Sequence, residues 1–135
     1  MMNCAQKFYS DGFTLMEMVL VIAIIGILSV IALPNFMNYQ CKAKQVEARQ
    51  ALGSLAKCQE AYHTEFTTYS ADLESIGFAT KGKSKYEYEV TLLNPHAYVA
   101  KAKSKTPGVN LKGEGDDIWT INQSLYLSNR TNACN

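Results

Sequence analysis

The sequence contains no Cys-x-x-Cys pair, and its four cysteines (Cys4, Cys41, Cys58 and Cys134) have no histidine at zinc-ligand spacing, so no metal site is expected. Histidine is scarce. His63 and His96 are the only two, and neither stands in a readable constellation with a serine, cysteine or carboxylate that would activate a nucleophile. Glycine-rich phosphate cradles are missing as well. The residues therefore support neither an enzyme nor a cofactor. Net charge is only +1, from 13 Lys and Arg against 12 Asp and Glu, which excludes a global field that would draw the chain to nucleic acid. A disulfide remains the natural use of the cysteines if they leave the cytoplasm.

The chain does have one long apolar run, placed at its N-terminal end. Between Met18 and Leu33 only Ser29 is appreciably polar, and the run FTLMEMVLVIAIIGILSVIAL from Phe13 to Leu33 holds 21 residues. At ~1.5 Å per residue such a helix spans about 30 Å, the thickness of a bilayer core. The run exceeds the ~7–15 apolar residues of a cleaved secretory signal and has no clean A-x-A exit. Hydropathy alone leaves a plain N-terminal anchor equally open. Glu17 sits one turn into this run, where an unpaired charge costs at least ~2.5 kcal/mol. Either it has a partner, or it is a helix-end carboxylate near the head-group layer that gains from the dipole.

Gly12-Phe13-Thr14-Leu15-Met16-Glu17 and the apolar run after it resemble the leader and cleavage motif of type IV prepilins and pseudopilins. The resemblance implies a leader over residues 1–12, cut by a prepilin peptidase after Gly12, and N-methylation of the new terminus at Phe13. Pro34 stands 21 residues beyond Phe13, where these proteins carry a helix-kinking proline. The leader departs from the usual basic pattern, with Lys7 its only basic residue and Asp11 beside Gly12. Family resemblance also gives Glu17 a role: its carboxylate neutralises the N-terminal ammonium of an adjacent subunit in the apolar filament core. Removing one partner of such a buried pair costs ~3–5 kcal/mol, so Glu17 is an expected assembly residue, and the resemblance implies the same for the kinking Pro34.

Beyond Pro34 the segment from Phe36 to Phe66 has no further proline and only Gly53 as a breaker, so the helix is expected to continue, roughly 80 Å in all if unbroken. Ala48, Ala51, Leu52, Leu55, Cys58, Tyr62 and Phe66 fall on one face at 100° per residue. This stripe, with Tyr69, reads as core, beginning near Ala48. Gly26 and Pro34 bracket a weakened stretch that is expected to melt locally on filament assembly.

Ser70 to Gly77 reads as a short capped helix. Alternation then predicts strands at residues 86–92 and 97–103, joined by Asn94-Pro95-His96, and a second pair at 118–121 and 125–127. Glu114, Asp116 and Asp117 fit no EF-hand spacing and read as a solvated turn. Lys81, Lys83, Lys85, Lys101, Lys103, Lys105 and Lys112 face only Glu87 and Glu89 between Phe78 and Gly113. Repeated along a fibre, that patch would attract DNA or anionic surfaces, or it pairs with acids of a neighbouring subunit. The ending from Asp117 to Asn122, with Asn132-Ala133-Cys134, resembles small type IVa pilins more than the major pseudopilin of type II secretion.

The expected architecture is α+β: a long N-terminal helix, its first half membrane-spanning and its second half packed against a small antiparallel sheet of about four strands. Expected divisions are leader 1–12, transmembrane and filament-core helix 13–46, and head 47–135. The implied function is a structural subunit of a type IV pilus serving adhesion or motility, with a type II secretion pseudopilin or a membrane-anchored binding module as alternatives. Its implied partners are identical subunits, the prepilin peptidase and N-methyltransferase, and an inner-membrane assembly platform. The implied location is the bacterial inner membrane, then the extracellular pilus. Cys41 and Cys58 lie about 25 Å apart along one helix, too far to bridge. Cys58 lies on the apolar stripe that the sheet covers, and the tail after Leu127 runs back across that sheet, so Cys58 is expected to pair with Cys134, leaving Cys41 free or engaged between subunits; the competing Cys41–Cys134 pair requires the tail to descend more than four turns below Cys58.

Overall fold

The computed structural model describes residues 12–80, 82–105 and 116–134. The leader residues 1–11, Lys81, Lys112, Glu114 and most of the predicted 104–116 loop lie outside the described residues. One helix, α1 (Leu15–Phe66), is followed by β1 (Tyr86–Asn94), β2 (Ala97–Ser104), β3 (Ile118–Asn122) and β4 (Leu127–Thr131). The chain divides into two compact units, Met1–Asn35 and Phe36–Asn135.

In the first unit, Thr14 and Glu17 start the helix with a reciprocal capping box. The Glu17 amide donates to Thr14 Oγ1 at 3.2 Å, and the Thr14 amide donates to Glu17 Oε2 at 3.0 Å. The apolar stretch that follows has a mean hydropathy of 2.7 over its most apolar window and none of that window is buried. Its side chains need a non-aqueous partner that the lone chain does not supply. Pro34 lies inside the helix although it lacks the N–H that would bond the preceding turn.

The second unit is organised by the buried face of α1: Cys41, Gln45, Ala48, Leu52, Leu55, Ala56 and Gln59. These recur at intervals of three and four, the period of a helix side that faces one partner. The stripe therefore begins two turns below Ala48. It also ends sooner than expected: Tyr62 is half-buried, and Phe66 is 51% exposed.

The sheet is a four-stranded antiparallel meander in the order β1-β2-β3-β4. Its inner face carries Tyr86 and Val90 from β1, Tyr98, Ala100 and Ala102 from β2, and Ile121 from β3, in one cluster with Leu52 and Leu55 of the helix. Tyr69 joins that cluster as expected. Alternation of buried and exposed residues along β2 is the period-2 signature of a sheet with one covered face.

Two local expectations are corrected. Residues 70–77 form turns and not a helix: the Asp72 carboxylate takes the amides of Glu74 and Ser75 and the hydroxyl of Ser75. These local acceptors compete with helix propagation, and Gly77 then ends the segment at φ 69. The last strand starts at Leu127, because Leu125 adopts φ 58 in the turn after β3 while the amides of Ser124 and Tyr126 bond the Asn122 side chain.

Candidate functional site

Of the predicted processing and assembly residues, Gly12, Phe13 and Glu17 lie in one short stretch at the N-terminal end, and Pro34 stands 17 residues beyond Glu17. Gly12 and Phe13 precede the helix, and Phe13 is 75% exposed. Glu17 is exposed too, with its Oε2 held by the amide and hydroxyl of Thr14 at 3.0 and 2.9 Å. In the uncut chain this carboxylate is thus locally satisfied by its own helix cap.

At the start of the head the chain closes on itself around Asp117. Its side chain accepts from five donors: Tyr86 Oη at 2.6 Å, Trp119 Nε1 and Gln45 Nε2 at 2.8 Å, and Asn129 Nδ2 and the Ala133 amide at 3.3 Å. Ser104 Oγ receives the Asp117 amide at 2.9 Å. Asp117 is 0% exposed, so the expected solvated turn is wrong at this position. A buried carboxylate persists without a cation when enough donors point at it. Burial, and then the bond to Asp117, push the Tyr86 phenol far above its ordinary range. Asp116, next door, points outward to Lys103 at 3.1 Å.

Gln45 carries the network to the C-terminal tail by donating also to Asn132 Oδ1 at 2.8 Å, and Asn132 Oδ1 accepts the Cys134 amide at 2.9 Å. Cys134 is thereby delivered to Cys41, and these two form the disulfide, with Cα atoms 5.7 Å apart. The expected Cys58–Cys134 bridge is thus overturned; Cys58 is a free, half-buried thiol. The physical reason is Gln45. Hydrogen-bonded to Asp117 and Asn132 it is core, 6% exposed, and it carries the buried face of the helix below Ala48, where the stripe was expected to begin, down to Cys41.

The histidines are packing groups: His63 stacks on Tyr69 at 4.5 Å and meets His96 edge-on at 5.9 Å. No cluster of three or more potential metal ligands occurs among the described residues. On the outer face of the sheet, Lys101 pairs with Glu89 at 4.0 Å. An open groove of about 590 Å³ runs beside the helix, between Glu47, Gln50 and Ser54 on one side and Phe78, Lys83 and Tyr88 on the other.

Asp117, Gln45, Tyr86 and Trp119 escaped sequence reasoning as a group. The available signal was the spacing: Gln45 continues the Ala48 and Leu52 series down to Cys41.

Residues 8–33 match the family model "Prokaryotic N-terminal methylation motif", and residues 34–113 match "Type IV minor pilin ComP, DNA uptake sequence receptor". The chain is 44% identical over 80 residues to the type IV major pilin protein PilA of Myxococcus xanthus, a match covering 59% of this chain and 36% of that protein. It is 32% identical over 127 residues to a fimbrial protein of Neisseria meningitidis serogroup B, covering 91% and 71%. To the type IV major pilin protein PilE of Neisseria gonorrhoeae it is 32% identical over 124 residues, covering 90% and 71%. The crystal structure of the N. meningitidis non-core minor pilin PilV shares the fold, with a TM-score of 0.56 at 17% identity over 70% of this chain and 90% of that one. A long N-terminal helix opening on a methylation motif, with a four-stranded head closed at its C-terminus, belongs to a pilus subunit: the chain is a member of the type IV pilin family.

Proposed function

We propose that this pilin is made as a precursor, cut between Gly12 and Phe13, methylated on the Phe13 amine, and held in the inner membrane by its apolar helix until it is drawn into an extracellular filament. Its partners are identical subunits, the prepilin peptidase and N-methyltransferase, and an inner-membrane assembly platform. The division into a leader over 1–12, a span and filament-core segment over 13–46 and a head over 47–135 follows from the same reading. The observation that carries it is a single carboxylate, Glu17, four residues past Phe13 in a helix face that is otherwise apolar and exposed. In a filament core the Phe13 ammonium of a neighbour replaces Thr14 as its partner, exchanging a cap for an ion pair. Pro34 supplies the weak point at which the packed helix yields. Mass spectrometry of cell-associated protein tests the first step: a mature chain beginning at methylated Phe13 supports it, and one still beginning at Met1 or Met2 removes it.

The match to a family described as a DNA uptake sequence receptor favours a second reading for the assembled fibre, in which the lysines of the sheet face draw in DNA or another anionic surface. Phosphate contacts are salt-dependent, so fibre–DNA binding that weakens steeply with salt, and weakens further with Lys101→Gln and Lys103→Gln, supports it. Salt-independent or absent binding sinks it.

A further inference from the structure

Basic charge is gathered at one end of the head. Tyr86 opposes Ser104 in the β1–β2 ladder, and both point inward and are buried. One step further the Lys105 amide donates to the Lys85 carbonyl at 2.8 Å, so Lys85 and Lys105 face each other on the outer surface. Like charges placed opposite each other across a strand pair are destabilising, and neither lysine forms an ion pair with a neighbouring acid among the described residues. Glu47 spends its Oε1 on Ser84 Oγ at 2.7 Å and on the Lys85 amide at 2.9 Å. Glu89 and Asp116 are taken by Lys101 and Lys103, and Glu87 stands opposite Lys103. Lys42, Lys83, Lys85 and Lys105 are exposed and make no ion pair among the described residues. At the other end of the sheet, the turns at 94–96 and 123–126 carry no lysine or arginine.

The basic end is also the end at which the helix enters the head, since Glu47 fixes Ser84 and Lys85 beside the lower helix. Just before it come Phe36 and Tyr39, 59% and 70% exposed, and Phe36 follows the apolar run at Leu33 by three residues. Aromatic side chains followed by lysines are the pattern of a membrane–water interface. Glu47 lies roughly 16 Å of helix beyond Phe36. The lysines beside it are therefore within reach of a head-group layer extended by a Debye length of about 8–10 Å.

We propose that this helix-entry end of the head, built from Phe36, Tyr39, Lys42, Lys83, Lys85 and Lys105, is a docking surface for acidic phospholipid headgroups while the subunit waits in the membrane. The proposal rests on the membrane-held precursor described above. Lipid phosphates supply counter-charges to the lysines that make no ion pair and hold the head against the leaflet. Extraction into a filament exchanges these contacts for those of neighbouring subunits.

The test uses the full chain inserted in nanodiscs of neutral phosphatidylcholine or of a mixture containing phosphatidylglycerol, with lysine acetylation rates read by mass spectrometry. Lys42, Lys83, Lys85 and Lys105 should react about fivefold more slowly on the acidic bilayer, as attraction of each lysine to an anionic leaflet requires. High salt should restore the rates, and Lys57, exposed further along the helix, should react alike in both. Equal rates on the two bilayers in an inserted chain overturn the lipid site alone. Protection that appears only when duplex DNA is added assigns the lysines to the nucleic-acid reading instead. A chain that enters neither bilayer, as shown by flotation, overturns the membrane-held precursor and this proposal together.

Discussion

Cys134 meets Cys41 across 93 residues of sequence because Gln45, one turn above Cys41, holds Asn132 at 2.8 Å. The polar contact and the covalent bond hold the same stretch of tail to adjacent turns of the helix. Non-reducing peptide mapping should recover a Cys41–Cys134 crosslinked peptide with Cys58 as a free thiol. Cys41→Ser should lower stability by about 4.6 kcal/mol in the chain-entropy picture of a loop this long. Cys58→Ser should change thermal unfolding little.

Asp117→Ala should be among the most damaging single changes in the head. It leaves the Tyr86 hydroxyl, the Trp119 indole N–H and a Gln45 amide N–H without their acceptor in a buried site. Breaking a buried charged network costs about 3–5 kcal/mol. Thermal denaturation together with Trp119 fluorescence reads this directly; an unshifted midpoint would mean that water enters the site at no cost.

Glu17→Ala should leave a folded, inserted subunit and yet abolish or severely reduce fibres. Thr14→Ala should have a milder effect, removing the hydroxyl that shares the Glu17 carboxylate while leaving the backbone amide. Fibre counts by electron microscopy, set beside the amount of membrane-inserted protein, separate assembly from folding. Normal fibres from the Glu17 variant would reduce this residue to a helix cap.

Alkali should loosen the head through its buried phenols. Burial first, and Glu60 and Tyr69 next, push Tyr98 from its ordinary 10.0 up to about 12. A group whose proton is held more tightly in the folded state contributes stability fully below its unfolded value, and that stability is lost as pH climbs through the interval above it. Unfolding stability should therefore fall between about pH 10 and 12. Tyr98→Phe should flatten that fall and cost little at neutral pH, because the Tyr98 hydroxyl is buried without a hydrogen-bond partner among the described residues.

Most of the fold was legible because it rests on periodicity. The apolar run, the three-and-four spacing from Ala48 to Leu55 and the alternation of β1 and β2 each have one dominant physical reading. What escaped was polar and cooperative. Gln45 and Asp117 look outward in any count of hydrophobic residues, and each becomes core only in the presence of the other and of Tyr86. The Asp72 turn was hidden for a related reason: one side chain supplies both a helix cap and a competing turn acceptor, and sequence does not say which use wins. Phe66 overshot because the stripe outlasts the sheet that covers it. The motif around Gly12, Phe13 and Glu17 is contiguous and independent of tertiary packing, so its likeness to the N-terminal methylation motif over residues 8–33 needs no fold to be seen.

The Cys41–Cys134 bond also sets how the head meets mechanical force. Since the chain enters the packed head at Cys41 and its tail is welded to that same residue, the four strands hang within a covalent ring with a single point of attachment. Tension carried along the N-terminal helices of a stretched filament would reach the head at this one residue, and the strands lie off the load path. Such a subunit can be pulled by its stem without its sheet being unzipped from the C-terminal end.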